Sequence, residues 1–134
     1  MVLSPVSLIA IAVMLAAVAV GWSRRFLAVG ALAVANIVVL ILSSLGPQIA
    51  GSNLSVIQAE LGLWSPNLVH EPGLGLLQLF SSMFVHAGFF HLLGNLIILL
   101  AFALPFEERI GHRRFLLVYI VAGLIGSLVQ VGVS

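Results

Sequence analysis

Four long apolar stretches, each about as long as a bilayer is deep, constrain this chain more than any other feature. The hydrocarbon core is about 30 Å thick, so a spanning helix needs roughly 20 apolar residues. The stretches run from Leu3 to Trp22, Phe26 to Leu45, Phe84 to Phe106 and Phe115 to Val133. Backbone polar groups in lipid must pair within the segment, so the stretches are predicted to be helices. A β-barrel would need short alternating segments, which the sequence does not contain. Charged residues make up 7% of the 134 residues and apolar ones 62%, which leaves no surface that water would solvate. The predicted fold class is all-α: a polytopic membrane helix bundle.

The few charges say where the helices turn. There is no Asp, Lys or Cys; the cations are Arg24, Arg25, Arg109, Arg113 and Arg114, and the anions are Glu60, Glu71, Glu107 and Glu108. Without cysteine there is no disulfide scaffold and no thiolate metal site. A net charge of +1 offers no basic patch for nucleic acid. Short loops rich in arginine stay on the cytoplasmic side. With Arg24 and Arg25 inside and the helices alternating, all five cations fall on that side and segment 46–76 lies outside. Cleavage of the first stretch as a signal peptide, which Ala17-Val18-Ala19 would permit, puts all five on the wrong side. The expected product is a multi-pass integral membrane protein with its N-terminus outside.

Segment 46–76 holds Pro47, Pro66, Pro72 and five glycines, yet Leu61, Leu63, Trp64, Leu68, Leu74 and Leu76 make it too apolar for a free linker. It is expected to be an ordered loop at the membrane interface, with short helices.

Polar groups inside a membrane helix are costly and mark function. The third stretch carries three: His86, His91 and Asn95. His91 and Asn95 are four residues apart and share a helix face. Together they offer two hydrogen-bond donors toward one point, the arrangement that stabilises a carbonyl oxygen as it gains charge. Two other readings stay open: polar contacts between helices, and a metal or haem site at His86 and His91. On a continuous helix those two histidines would lie roughly 140° apart, a poor spacing for one ion. Ala122, Gly123, Gly126 and Ser127 form small-xxx-small pairs that mark a close packing seam, with Gln130 one turn beyond. Glu107 and Glu108 are expected to form exposed ion pairs with Arg109, Arg113 and Arg114, of little energetic weight. His70 and His112 have no functional case.

The run Phe84-Val85-His86-Ala87-Gly88-Phe89-Phe90-His91-Leu92-Leu93-Gly94-Asn95 resembles the signature of the rhomboid intramembrane serine proteases. Phe106-Glu107-Glu108-Arg109-Ile110-Gly111 is similar to that family's Glu-x-Arg-x-Gly turn, and Gln78-Leu79-Phe80-Ser81-Ser82-Met83 to the approach to its second core helix. The resemblance implies an extra N-terminal transmembrane helix in 1–25 and a partial rhomboid domain in 26–134. Within it, core helix one would be 26–45, a membrane-associated loop 46–76, core helix two 84–106 and core helix three 113–133. It assigns His91 and Asn95 to an oxyanion hole, His86 to its support, and Glu107 and Arg109 to structural positions in the turn. Where this chain has Leu77-Gln78 the family commonly has Trp-Arg or Trp-Gln, which weakens the expected anchoring of the loop.

The family's nucleophile sits in Gly-x-Ser-Gly, which does not occur in these 134 residues, and Gly126-Ser127 lies in the wrong context. The general base, a histidine on a sixth core helix, has no counterpart either. The expectation is therefore the N-terminal part of a serine endopeptidase acting on transmembrane segments in a lipid bilayer, cut off before the catalytic Ser. It needs no metal or other cofactor. The alternative is a non-catalytic relative that binds such segments.

Overall fold

The computed structural model describes residues 2–133. Four of its helical spans are long and apolar enough to cross a membrane: Pro5–Ser23, Ala28–Leu45, Phe89–Ile110 and His112–Val133. The molecule is an integral membrane helix bundle.

Helix α1 (Pro5–Ser23) starts where Ser4 accepts the Ser7 N–H and Pro5 supplies a first-turn residue that has no donor to orphan. Its buried positions, Ser7, Ala10, Met14, Ala17 and Gly21, recur every three or four residues and form one seam. Helix α2 (Ala28–Leu45) returns antiparallel and buries Ala28, Leu32, Ala35 and Val39 in one core with Ala10, Met14 and Ala17. Lipid tails are as apolar as leucine, so burial alone does not drive this pairing; close van der Waals packing of small residues does. At Gly21 the approach is closest: a Cβ there would stand 3.2 Å from Ala28 Cα. The turn between the helices is sharp enough to hold Phe26 at a φ of +61°.

Segment 46–76 is ordered and partly helical, as its composition implies. Helix α3 (Val56–Leu61) begins with a reciprocal cap: Ser55 Oγ accepts the Gln58 N–H, and the Gln58 side chain accepts the Ser55 N–H. Ser55 also bonds Ser43 of α2 at 2.6 Å. Helix α4 (Asn67–His70) and helix α5 (Pro72–Ser81) follow. Gly75 lets α5 touch α4, since a Cβ at that position would lie 2.7 Å from the Leu68 backbone.

The anchor of this region is Gln78, which is fully buried. Its Oε1 accepts the Trp64 N–H at 3.3 Å and Asn67 Nδ2 at 3.1 Å, while its Nε2 donates to the Glu60 carbonyl at 3.0 Å. Leu77-Gln78 therefore ties the loop down without the tryptophan the family resemblance led one to expect. The Ser81 hydroxyl adds a bond to the Leu61 carbonyl at 2.8 Å.

The third membrane span differs from its predicted form at both ends. Phe84 to Gly88 is not helical; the helix opens at Phe89 as α6 (Phe89–Ile98). It then widens into a π turn over Leu99–Ala103 and continues as α7 (Leu104–Ile110). Pro105 explains the widening: it has no N–H, and its ring would strike the carbonyl one turn earlier in a regular α-helix.

Helix α8 (His112–Val133) starts beyond Gly111, whose φ is +89°. It packs on α5: Ser127 Oγ donates to the Leu79 carbonyl at 3.1 Å, and the Met83 side chain lies on Gly123. Gly126, the other half of the expected seam, faces open space.

The carboxylate of Glu107 does something the sequence reading missed. It is buried, and it accepts the backbone N–H groups of Ala28 at 3.0 Å and Val29 at 2.9 Å. A carboxylate at a helix N-terminus satisfies orphan donors and meets the positive end of the helix dipole. Glu107 thus caps α2 and is not one of a set of exposed ion pairs. Beside it Arg113 Nε donates to the Trp22 carbonyl at 3.1 Å, with its guanidinium 5.3 Å from the centre of the Trp22 ring. These contacts bring the α1–α2 turn and the α7–α8 turn to the same end of the bundle, so all five arginines cluster there.

Candidate functional site

The polar residues of the third span converge on one cavity of about 690 Å³ between α2, α6 and α8. His91 and Asn95 both line it, one turn apart on α6, with Ser82 just past the end of α5 and Tyr119, Ser127 and Gln130 on α8. Neither His91 nor Asn95 spends its side chain on a hydrogen bond among the described residues, so their donors remain available to a ligand.

His86 reaches the same cavity from the turn before α6. It is buried, and its Nδ1 lies 3.0 Å from the Phe84 carbonyl. A carbonyl can only accept, so Nδ1 carries the proton and a neutral ring keeps its lone pair on Nε2. Burial pushes the imidazole below its ordinary 6.5; the Phe84 carbonyl raises it, and the neighbouring His91 lowers it further. The neutral form is favoured.

The two imidazoles meet edge to face with centroids 5.1 Å apart. On a continuous helix they would have diverged. They touch because residues 84–88 fold as a turn that swings His86 back over the helix start. The backbone carbonyl of His86 is itself held by Gln58 Nε2 at 3.1 Å, which ties the turn to α3. His86 thus touches the His91 ring while its own backbone is held by the loop. Among the described residues no group of three or more His, Cys, Asp or Glu side chains is placed to hold a metal ion.

One lining residue escaped the sequence reading. Asn36 sits in the middle of α2, buried, with Nδ2 donating to the Leu32 carbonyl at 2.8 Å. The Tyr119 hydroxyl approaches its amide, but among the described residues Oδ1 has no partner of hydrogen-bond geometry. A lone amide within an apolar span was the available signal. His70 and His112 line neither this cavity nor the α1–α2 groove.

Residues 74–134 match the family model for the rhomboid domain. RHOMBOID-like protein 5 of Arabidopsis thaliana is 38% identical over 53 residues, which is 40% of this chain and 17% of that protein. The rhomboid-family protein YdcA of Bacillus subtilis (strain 168) is 43% identical over 51 residues, 38% of this chain and 26% of its own length. Rhomboid-like protease 3 of Toxoplasma gondii is 38% identical over 48 residues, 36% of this chain and 18% of its own. The chain carries a rhomboid domain over residues 74–134. The matched stretch runs from α5 through α8 and includes His86, His91 and Asn95. The matches span about a quarter or less of each relative. No solved structure matches the chain.

Proposed function

We propose that this chain carries the oxyanion-binding part of an intramembrane serine endopeptidase that cleaves transmembrane segments of other proteins. The observation behind the reading is the shared aim of His91 and Asn95, whose uncommitted donors face one cavity within a membrane-spanning helix. In this reading a serine supplied by residues other than these 134 attacks the scissile carbonyl carbon. A histidine, also supplied elsewhere, takes the serine proton and returns it to the departing amine. As the carbonyl π electrons move to oxygen, His91 and Asn95 donate to the resulting oxyanion. His86 positions His91 through the ring contact. No metal or other cofactor enters the scheme. The arginine-bearing end would face the cytoplasm and segment 46–76 the opposite side, following the charge rule for short loops.

The test is fluorophosphonate labelling and cleavage of a transmembrane reporter by the natural protein that contains this sequence, isolated from its own cells. Labelling at a serine, with kcat reduced about 10²- to 10³-fold in each of His91→Ala and Asn95→Ala, is expected. Absence of both labelling and cleavage would refute the reading.

A second reading rests on the cavity alone, whose lining is largely apolar. It makes the chain a non-catalytic rhomboid that holds transmembrane segments in the same cavity. Reporter binding without labelling, weakened by His91→Ala, would favour it.

A further inference from the structure

On the opposite side of α2 the hairpin leaves a second concavity, of about 380 Å³. Val13, Ala17 and Val20 of α1 line it with Leu27, Ala31 and Val34 around the start of α2. Its walls are almost wholly apolar, and it faces outward from the bundle. Two features set it apart from an ordinary lipid-facing surface.

The first is its extent. It follows only the half of the hairpin nearest the α1–α2 turn. Val13 to Val20 corresponds to about 10 Å of helix, less than the roughly 15 Å depth of one leaflet's hydrocarbon. A partner helix crossing the membrane would need a seam along the whole span. An acyl chain hanging from one leaflet needs only this.

The second is the turn that joins its two walls. Arg24 and Arg25 follow directly on α1 and are exposed. Among the described residues neither has a carboxylate partner. Arg25 holds its guanidinium 5.3 Å from the centre of the exposed Phe26 ring, an aromatic–cation pair typical of the headgroup level. Two unneutralised cations above a dry groove complement a lipid with an anionic headgroup.

We propose that the α1–α2 groove and the Arg24–Arg25 pair form a binding site for one anionic phospholipid of the leaflet on the arginine-bearing side. Its phosphate sits between the two guanidinium groups and one acyl chain occupies the groove. The site is independent of the cavity around His91 and of any proteolytic activity.

The whole chain, purified into phosphatidylcholine nanodiscs containing a minority of phosphatidylglycerol and examined by native mass spectrometry, tests this. One phosphatidylglycerol should be retained per chain, enriched on the order of 10-fold over its mole fraction. The double substitution Arg24→Gln, Arg25→Gln should abolish the enrichment, while Arg24→Lys, Arg25→Lys should keep most of it. Gly30→Leu should also abolish it: a Cβ at Gly30 meets nothing within 4 Å, so the longer side chain fills the groove without disturbing the bundle. Equal retention of the two lipids would overturn the proposal, as would enrichment that survives either charge removal or groove filling. A dimer that Gly30→Leu dissociates would assign the groove to a second copy instead.

Discussion

The carboxylate of Glu107 stands 3.0 Å from the backbone N–H of Ala28, joining residues 79 positions apart in the sequence. With Val29 as the second donor, one side chain near the end of the third span fixes where the second span begins. Glu107→Ala should leave two buried donors unpaired and lower stability by about 3 kcal/mol. Glu107→Gln, which keeps one acceptor, should cost less than half of that. Unfolding by SDS titration in mixed micelles would measure both; equal losses would deny the carboxylate its capping role.

Gln78 predicts a local effect. Gln78→Leu keeps the volume but strips partners from the Trp64 N–H, the Asn67 amide and the Glu60 carbonyl. The three bonds are part-buried, and losing each should cost about 0.5–1.5 kcal/mol. Hydrogen exchange at the Trp64 amide should therefore accelerate by at least about 10-fold, with the helical amides of α1 and α2 unchanged.

Two glycines of α5 form a matched pair. Gly75→Ala should destabilise by about 1–3 kcal/mol, because its Cβ meets the Leu68 backbone, which cannot rotate away. Gly73→Ala, whose Cβ meets nothing within 4 Å, should be neutral or stabilise by up to about 1 kcal/mol. Melting temperatures of the two variants in the same detergent should move in opposite directions, or only the first should move.

The His86 imidazole titrates below 6.5 in the folded chain, first because it is buried. The unfolded chain then binds more protons than the folded one in the window below 6.5, so stability rises with pH there. The His86 contribution is complete above about 6.5 and is lost as the pH falls through the lower folded value. Stability measured from pH 7.5 to 5 should decline, and His86→Asn should flatten that part of the decline.

Much of this architecture could be read from composition. Four spans, the ordered loop and the shared face of His91 and Asn95 follow from apolar run length, from Gly and Pro placement and from helical periodicity. The remainder depended on contacts that periodicity cannot encode. Glu107 reads as a surface charge because its partners are backbone N–H groups, which leave no mark on side-chain spacing. His86 reads as helical because residues 84–88 are apolar enough to extend the third span. Their turn becomes evident only once α3 is seen holding the His86 carbonyl. The third apolar stretch stops at Phe106, just past Pro105; the π turn before that proline lets the helix continue to Ile110. Asn36 was one polar letter in a run of valines, leucines and alanines, and only its unanswered Oδ1 marks it out.

Ser4, just ahead of α1, gives both its N–H and its hydroxyl to Glu60, at 2.9 and 2.8 Å, and α1's far end is gripped by Arg113 at Trp22. A strut pinned at both ends resists tilting in a way a loosely appended helix cannot. The loop that steadies His86 is therefore braced from residue 4 onward, and rotating the first helix would be felt at the turn beside the cavity through α3. A version of the chain starting at residue 26 would keep every polar group of the cavity and lose the frame that holds them in register.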